Sequence, residues 1–156
     1  ERDIPIRVGV NSGSISREIL AKYGEVNAEA MTESALNAIR QISDMDYDNI
    51  VISIKSSSPK LTIDTYRILS KSCDYPLHVG VTEAGTVKEG VIKSAVGIGA
   101  LLAEGIGDTI RVSLTEEPEF EIPVCKMIVN RYAHNTELTN EIQFPVCGTR
   151  QVSCRL

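Results

Sequence analysis

Short β-branched runs alternate along the chain with stretches in which apolar residues recur at helical spacing. Residues 6–10 (IRVGV), 49–55 (NIVISIK), 76–82 (PLHVGVT) and 109–114 (TIRVSL) read as strands. Between and after them, helices are predicted over 16–23, 28–42, 62–72 and 91–104, with a last one inside 118–132. In the second helix Ala35, Leu36, Ile39 and Ile42 mark one apolar face. Thr62, Asp64 or a residue just before them is the expected cap of the third. Gly105 and Gly107 are expected to end the fourth. Beyond Asn135 the periodicity fades, and 135–156 reads as an irregular tail or the start of a following segment.

Strand and helix repeated four times imply parallel strands joined by crossover helices, so the fold class is α/β. Strand parity separates an open doubly wound sheet from a barrel. Ile6, Val8 and Val10 oppose Arg7, Gly9 and Asn11; Ile50, Ile52 and Ile54 oppose Val51, Ser53 and Lys55. Leu77, Val79 and Val81 oppose His78, Gly80 and Thr82; Ile110, Val112 and Leu114 oppose Arg111, Ser113 and Thr115. Central strands of a doubly wound sheet are apolar on both faces. A barrel strand packs one face on helices and turns the other inward, where ligand groups gather. The expectation is part of a (β/α)8 TIM-type barrel over residues 1–134, holding about four of its eight units. Such a piece leaves two open sheet edges and is not expected to be stable alone.

Composition adds exclusions. The 156 residues carry a net charge of −5, with 24% charged and 42% apolar residues, which rules out wholesale disorder. No apolar run approaches the roughly 20 residues of a membrane span. The acidic balance and the absence of Trp argue against a nucleic-acid partner. The four cysteines, Cys73, Cys125, Cys147 and Cys154, form no CxxC pair, so no metal site is read from this chain and free thiols are expected.

The candidate chemistry is cationic. Arg7, Lys55 and Arg111 on the polar face would bring three cations toward one mouth, with Asn11, Ser53, Ser113 and Thr115 as neutral donors. Inward charge costs several kcal/mol unless paired, and an anion with two phosphoryl groups answers three cations well. Arginine offers phosphate a bidentate fork and lysine a point charge. The competing interpretation is an internal ion-pair network. Glu83, directly after the third strand, is either a general acid or base or a salt-bridge partner of Lys55 or Arg111. His78 reads as a hydrogen-bonded core residue and His134 as exposed and inert. The NSGS turn (11–14) is either a phosphate cradle or a plain helix-entry turn, and the SSS run (56–58) is a polar loop. The small-residue stretch 93–108 points to close helix packing, and its GxG lies inside a helix, where it cannot form a dinucleotide loop.

Four segments together, IRVGVNSGS, VISIKSSS, PLHVGVTEAGT and IKSAVGIGALLAEGIGDTIRVSLT, with the KYG between them, resemble the barrel domain of the 4-hydroxy-3-methylbut-2-enyl diphosphate synthase family. The resemblance runs from about Ile4 to Glu117. It implies an oxidoreductase of isoprenoid synthesis that opens 2-C-methyl-D-erythritol 2,4-cyclodiphosphate reductively, taking two electrons and losing the C3 oxygen. By position, Arg7, Lys55, Arg111 and Ser113 would hold phosphate oxygens, Asn11 would contact the substrate, and Glu83 would serve the reacting centre. The family's [4Fe-4S] cluster is held by three cysteines and a glutamate of a separate domain; those ligands are not in this chain. Ferredoxin or flavodoxin as electron donor, a homodimer, and a cytoplasmic location (plastid in a eukaryote) are likewise implied. The fragment alone would not turn over. Two other functions fit the residues less fully: a cofactor-free phosphate-binding barrel enzyme, such as a lyase or transferase, and a non-catalytic assembly module.

Overall fold

The computed structural model describes residues 4–82 and 85–132, and the backbone of 141–146 and 150–155. Four strands, β1 (Ile6–Asn11), β2 (Ile50–Lys55), β3 (Leu77–Gly80) and β4 (Thr109–Arg111), form one sheet in the order β1-β2-β3-β4, and every pairing is parallel. Helices α1 (Arg17–Tyr23) and α2 (Ala28–Ser43) follow β1, and α3 (Pro59–Leu69), α4 (Val87–Ala103) and α5 (Glu121–Tyr132) follow the other three strands. With parallel strands in sequential order, right-handed crossovers put every connecting helix on the same side. Val8, Val10, Ile50, Ile52, Ile54, Leu77 and Val79 accordingly bury one sheet face in a single core with Met31, Ile39, Tyr66, Leu69, Ile98 and Leu101 of the helices. This is the one-sided layering of a barrel wall.

Local chemistry fixes where each helix starts. Ser16 Oγ accepts from the Ile19 amide, and Asn27 Oδ1 accepts from the Ala30 amide at 2.9 Å. The third helix begins earlier than the predicted Thr62. Ser58 caps it through the Leu61 amide, and Pro59 supplies a first-turn φ already suited to a helix. The SSS run is therefore partly a helix start, and Ser56 within it is buried. The fourth helix also begins early, at Val87, because Thr86 and Glu89 form a reciprocal capping box. Gly105 and Gly107, at φ +72° and +119°, release the chain into β4 as expected.

The close packing foreseen for the small-residue helix is present. A Cβ on Gly97 would fall 2.6 Å from Val81 Cγ2, and one on Gly99 would fall 2.6 Å from the Tyr132 hydroxyl. β4 is shorter than the predicted 109–114: pairing stops at Arg111, although Val112 stays fully buried. Within the stretch read as a tail, β5 (Glu141–Val146) and β6 (Arg150–Arg155) pair antiparallel, Glu141 opposite Arg155 and Val146 opposite Arg150.

Candidate anion-binding site

Parallel register turns the polar sheet face into rows. Gly9 stands beside Ser53, Ser53 beside His78, and His78 beside Thr109. One row nearer the carboxyl ends, Asn11 stands beside Lys55 and Gly80 beside Arg111. Asn11, Lys55 and Arg111 thus occupy the rim expected of them. Arg7 does not: it pairs with Val51, four residues before Asn11, or about 13 Å lower along the strand. The common mouth predicted for the three cations is in this respect corrected. Arg7 stands lower on the same face, and Lys55 and Arg111 stand nearer the carboxyl ends.

His78 nonetheless lies in the field of all three charges. Its pKa is lowered from 6.5 to about 4, first by burial and then by the fields of Arg7, Arg111 and Lys55. The imidazole is neutral at pH 7, and its Nδ1 lies 2.6 Å from Thr109 Oγ1. This agrees with a hydrogen-bonded core histidine. Gly9 lets Lys55 lean across β1: a Cβ there would come within 3.1 Å of Lys55 Cε and 3.2 Å of Nζ. Arg7, Gly9, Asn11 and Lys55 are all exposed, so this face is open to a ligand.

Several donors are already engaged. Asn11 Oδ1 accepts from the Gly13 amide at 3.4 Å, which leaves the amide NH2 as its donor. The NSGS turn is a short 3-10 turn, Ser12–Ser14, capped in this way. Ser53 is buried within the sheet face, and Ser113 lies half-buried two residues past β4. Thr115, expected as a free donor, instead gives its hydroxyl hydrogen to the Gly85 carbonyl at 2.6 Å. That bond ties the β3–α4 loop to the end of β4. Glu83 lies outside the described residues, as do His134 and the side chains of Cys147 and Cys154.

Two functional neighbours are not evident from sequence periodicity. Glu121, in the first turn of α5, places Oε2 3.7 Å from Arg111 Nε while its Oε1 accepts the Leu114 amide at 3.1 Å. The Arg111 side chain is 62% exposed and Glu121 only 14%, so the pair leaves most of the guanidinium available. Tyr66, fully buried on α3, reaches the sheet itself. A buried tyrosine needs a partner for its hydroxyl, and that requirement is the signal that singles it out.

Among the described residues, no three His, Cys, Asp or Glu side chains gather in a way that could hold a metal ion. Cys125 is buried and Cys73 half-buried, both as free thiols whose pKa is raised by burial. The described residues therefore do not fit an iron–sulfur cluster. No described helix is long and apolar enough to cross a membrane.

Sequential parallel strands, helices on one face and cations on the other define a segment of a (β/α)8 barrel, the architecture that turns its polar face into the interior. Residues 1–126 match the GcpE TIM-barrel domain, and the chain belongs to that family. It is similar to the 4-hydroxy-3-methylbut-2-en-1-yl diphosphate synthase (flavodoxin) of Ruminiclostridium cellulolyticum, with 58% identity over 153 residues, covering 98% of this chain and 43% of that protein. The like-named protein of Clostridium perfringens is 53% identical over 152 residues, covering 97% of this chain and 44% of the relative. That of Clostridium acetobutylicum is 51% identical over 152 residues, with 97% and 44% covered. The chain thus spans less than half the length of these relatives.

Proposed function

We propose that this chain is the substrate-binding portion of a 4-hydroxy-3-methylbut-2-enyl diphosphate synthase, an oxidoreductase of isoprenoid synthesis. The full protein would reduce 2-C-methyl-D-erythritol 2,4-cyclodiphosphate, opening the ring and removing a hydroxyl as water with two electrons. The observation that carries this is the convergence of Arg7, Lys55 and Arg111 on one exposed, concertedly polar sheet face around a neutral histidine. Cations gathered on one face favour an anion, and a cyclic diphosphate offers two phosphoryl groups to Arg7, Lys55 and the largely exposed Arg111.

In this role Lys55 and Arg111 hold phosphate oxygens from the rim and Arg7 from beneath. Asn11 donates through its amide, and Ser113 donates from beyond β4. Because His78 is neutral, it adds no fourth charge and leaves the cations to set the potential. Glu83 follows β3 in the chain and is assigned to the reacting centre, as proton donor or stabiliser of the departing hydroxyl. On either side of it in the chain, the Thr82 amide donates to the Ser56 carbonyl at 3.0 Å, and the Gly85 carbonyl accepts from the Thr115 hydroxyl. The names of the relatives favour flavodoxin as electron donor. A [4Fe-4S] cluster, a homodimer and a cytoplasmic location belong to the same proposal for the whole protein. The cluster's ligands would come from outside this chain.

Calorimetric titration of the full-length protein with the cyclic diphosphate tests the site. Arg7→Ala and Lys55→Ala should each weaken binding by about 1.5–3 kcal/mol, the worth of a charge-assisted hydrogen bond. Affinity unchanged in both variants would sink the reading.

A further inference from the structure

The row of side chains at the carboxyl rim has a gap in it. Gly80 falls, in the strand order, between Lys55 of β2 and Arg111 of β4, and it brings no side chain to that row. Nor can the position take one: a Cβ there would fall 2.7 Å from the Arg111 carbonyl oxygen. Lys55 leans the other way, over Gly9 of β1. His78 lies two residues before Gly80 on the same face of β3, about 7 Å lower along the strand, so its ring forms the floor of the gap.

One nitrogen of that ring is in use. Nδ1 lies 2.6 Å from Thr109 Oγ1, on the next strand of the same row. Nε2 has no hydrogen-bond partner among the described residues, yet it is not sealed away from solvent. Among those residues the Ser94 hydroxyl is the one side-chain polar atom both fully enclosed and unpartnered. Nε2 is thus open to an occupant of the gap. The Thr109 contact suits either neutral tautomer, but an anion accepts hydrogen bonds and cannot donate them. It selects the ring whose Nδ1 accepts from the Thr109 hydroxyl and whose Nε2 carries the hydrogen. We infer that His78, held in this tautomer by Thr109, is a further ligand-contacting residue that donates Nε2–H to a phosphoryl oxygen seated between Lys55 and Arg111. The inference rests on the function proposed above and adds one contact to the same site.

Such a contact carries a proton signature. Among the described residues, the charged groups facing the ring are Arg7 of β1, Lys55 of β2 and Arg111 of β4, the last 3.7 Å from Glu121 of α5. Its lateral neighbours Ser53 and Thr109 are uncharged, as is Tyr66 of α3, which donates to the His78 carbonyl. The three cations help to hold the free ring neutral, and an anion at Nε2 opposes them and favours the imidazolium. Binding in mildly acid solution should therefore take up a proton. Each phosphorus of a cyclic diphosphate keeps a single, strongly acidic hydroxyl, so the ligand itself takes up none.

The test is calorimetric titration of the full-length protein with the cyclic diphosphate. Run at about pH 5.5 in two buffers of different ionisation heat, it counts protons. The wild type should take up a sizeable fraction of a proton, and His78→Gln should lose that uptake. No uptake by the wild type, or equal uptake by both, overturns the contact. At about pH 7.5, His78→Asn, too short to replace Nε2, should weaken binding about tenfold, the scale of a hydrogen bond to a charged acceptor. His78→Gln, whose amide extends nearer the reach of Nε2, should recover part of the loss. Thr109→Val should weaken binding severalfold and Thr109→Ser restore it. Affinity unchanged in His78→Asn or in Thr109→Val overturns the inference, and should either variant fail to fold, the proton count decides. Lys55→Ala separates the two ideas. If it weakens binding and His78→Asn does not, the histidine contact alone fails; if neither does, the anion site fails with it.

Discussion

The two faces of the β1–β4 sheet are built from the same strands, one residue out of step, and they obey opposite rules. On the helix side Ile50, Ile52, Ile54 and Val79 are all but inaccessible, packed against Met31, Leu69, Ile98 and Leu101. On the other side Arg7, Asn11, Lys55 and Arg111 stand in solvent around a single buried imidazole. The first face holds the wall together by apolar burial, at roughly 25 cal/mol per Å². The second contributes little to stability and concentrates positive charge. The difference shows that a period-two alternation can divide labour within one strand, with apolar burial on one alternate set of positions and polar or charged groups on the other.

The sharpest way to break this division is on the packed face. Ile52→Ala should cost about 3 kcal/mol in chemical unfolding of the full-length protein, because it empties a fully enclosed site. A cost below that of an exposed substitution would mean the face is not the core it resembles. The His78 row sits at the boundary and should respond to pH. Its folded pKa, about 4, lies below the unfolded value near 6.5, so between these values the unfolded chain binds the extra proton. Stability should therefore be complete above about pH 6.5 and fall by about 2–3 kcal/mol as the pH drops toward 4. His78→Gln should flatten that limb of the pH–stability curve, and a limb of unaltered slope would assign the loss to other groups.

The smallest effect belongs to the polar face. Glu121→Gln breaks the ion pair with Arg111 but keeps an acceptor for the Leu114 amide. Stability should move by no more than about 0.5 kcal/mol, as for other exposed pairs. Pyrophosphate should bind severalfold more tightly to the freed arginine, and weaker binding in calorimetry would show that Glu121 orients Arg111 rather than competing for it.

Much of this contrast was legible before any coordinates. The inward and outward sets of all four strands follow from the alternation of β-branched and polar residues, and the barrel from every strand having one apolar face and one of polar or small residues. Helix starts were harder. Pro59 after Ser58 is a start signal hidden in a serine run, and Thr86 with Glu89 is a capping pattern that hydrophobic spacing alone passes over. The depth of Arg7 is not legible in the sequence, because parity states which face a residue occupies but says nothing of its height; only the register with Val51 fixes that. Tyr66 and Glu121 act across the fold, the first through a hydroxyl that accepts from the Ile54 amide and donates to the His78 carbonyl, the second from a helix ten residues beyond its partner. Neither relation has a local sequence pattern to announce it.

The bare face of α4 has a final consequence. With Gly97 pressed on Val81 and Gly99 on the Tyr132 hydroxyl, this helix can acquire bulk only outward, on the side where Ile92 and Val96 already stand in water. Divergence along it is therefore lopsided: positions 92 and 96 are free to drift, whereas a single methyl at 97 would shove Val81 and, through the adjoining Thr82 amide, jolt the end of the strand. The absence of side chains there acts as a gauge block for the rim.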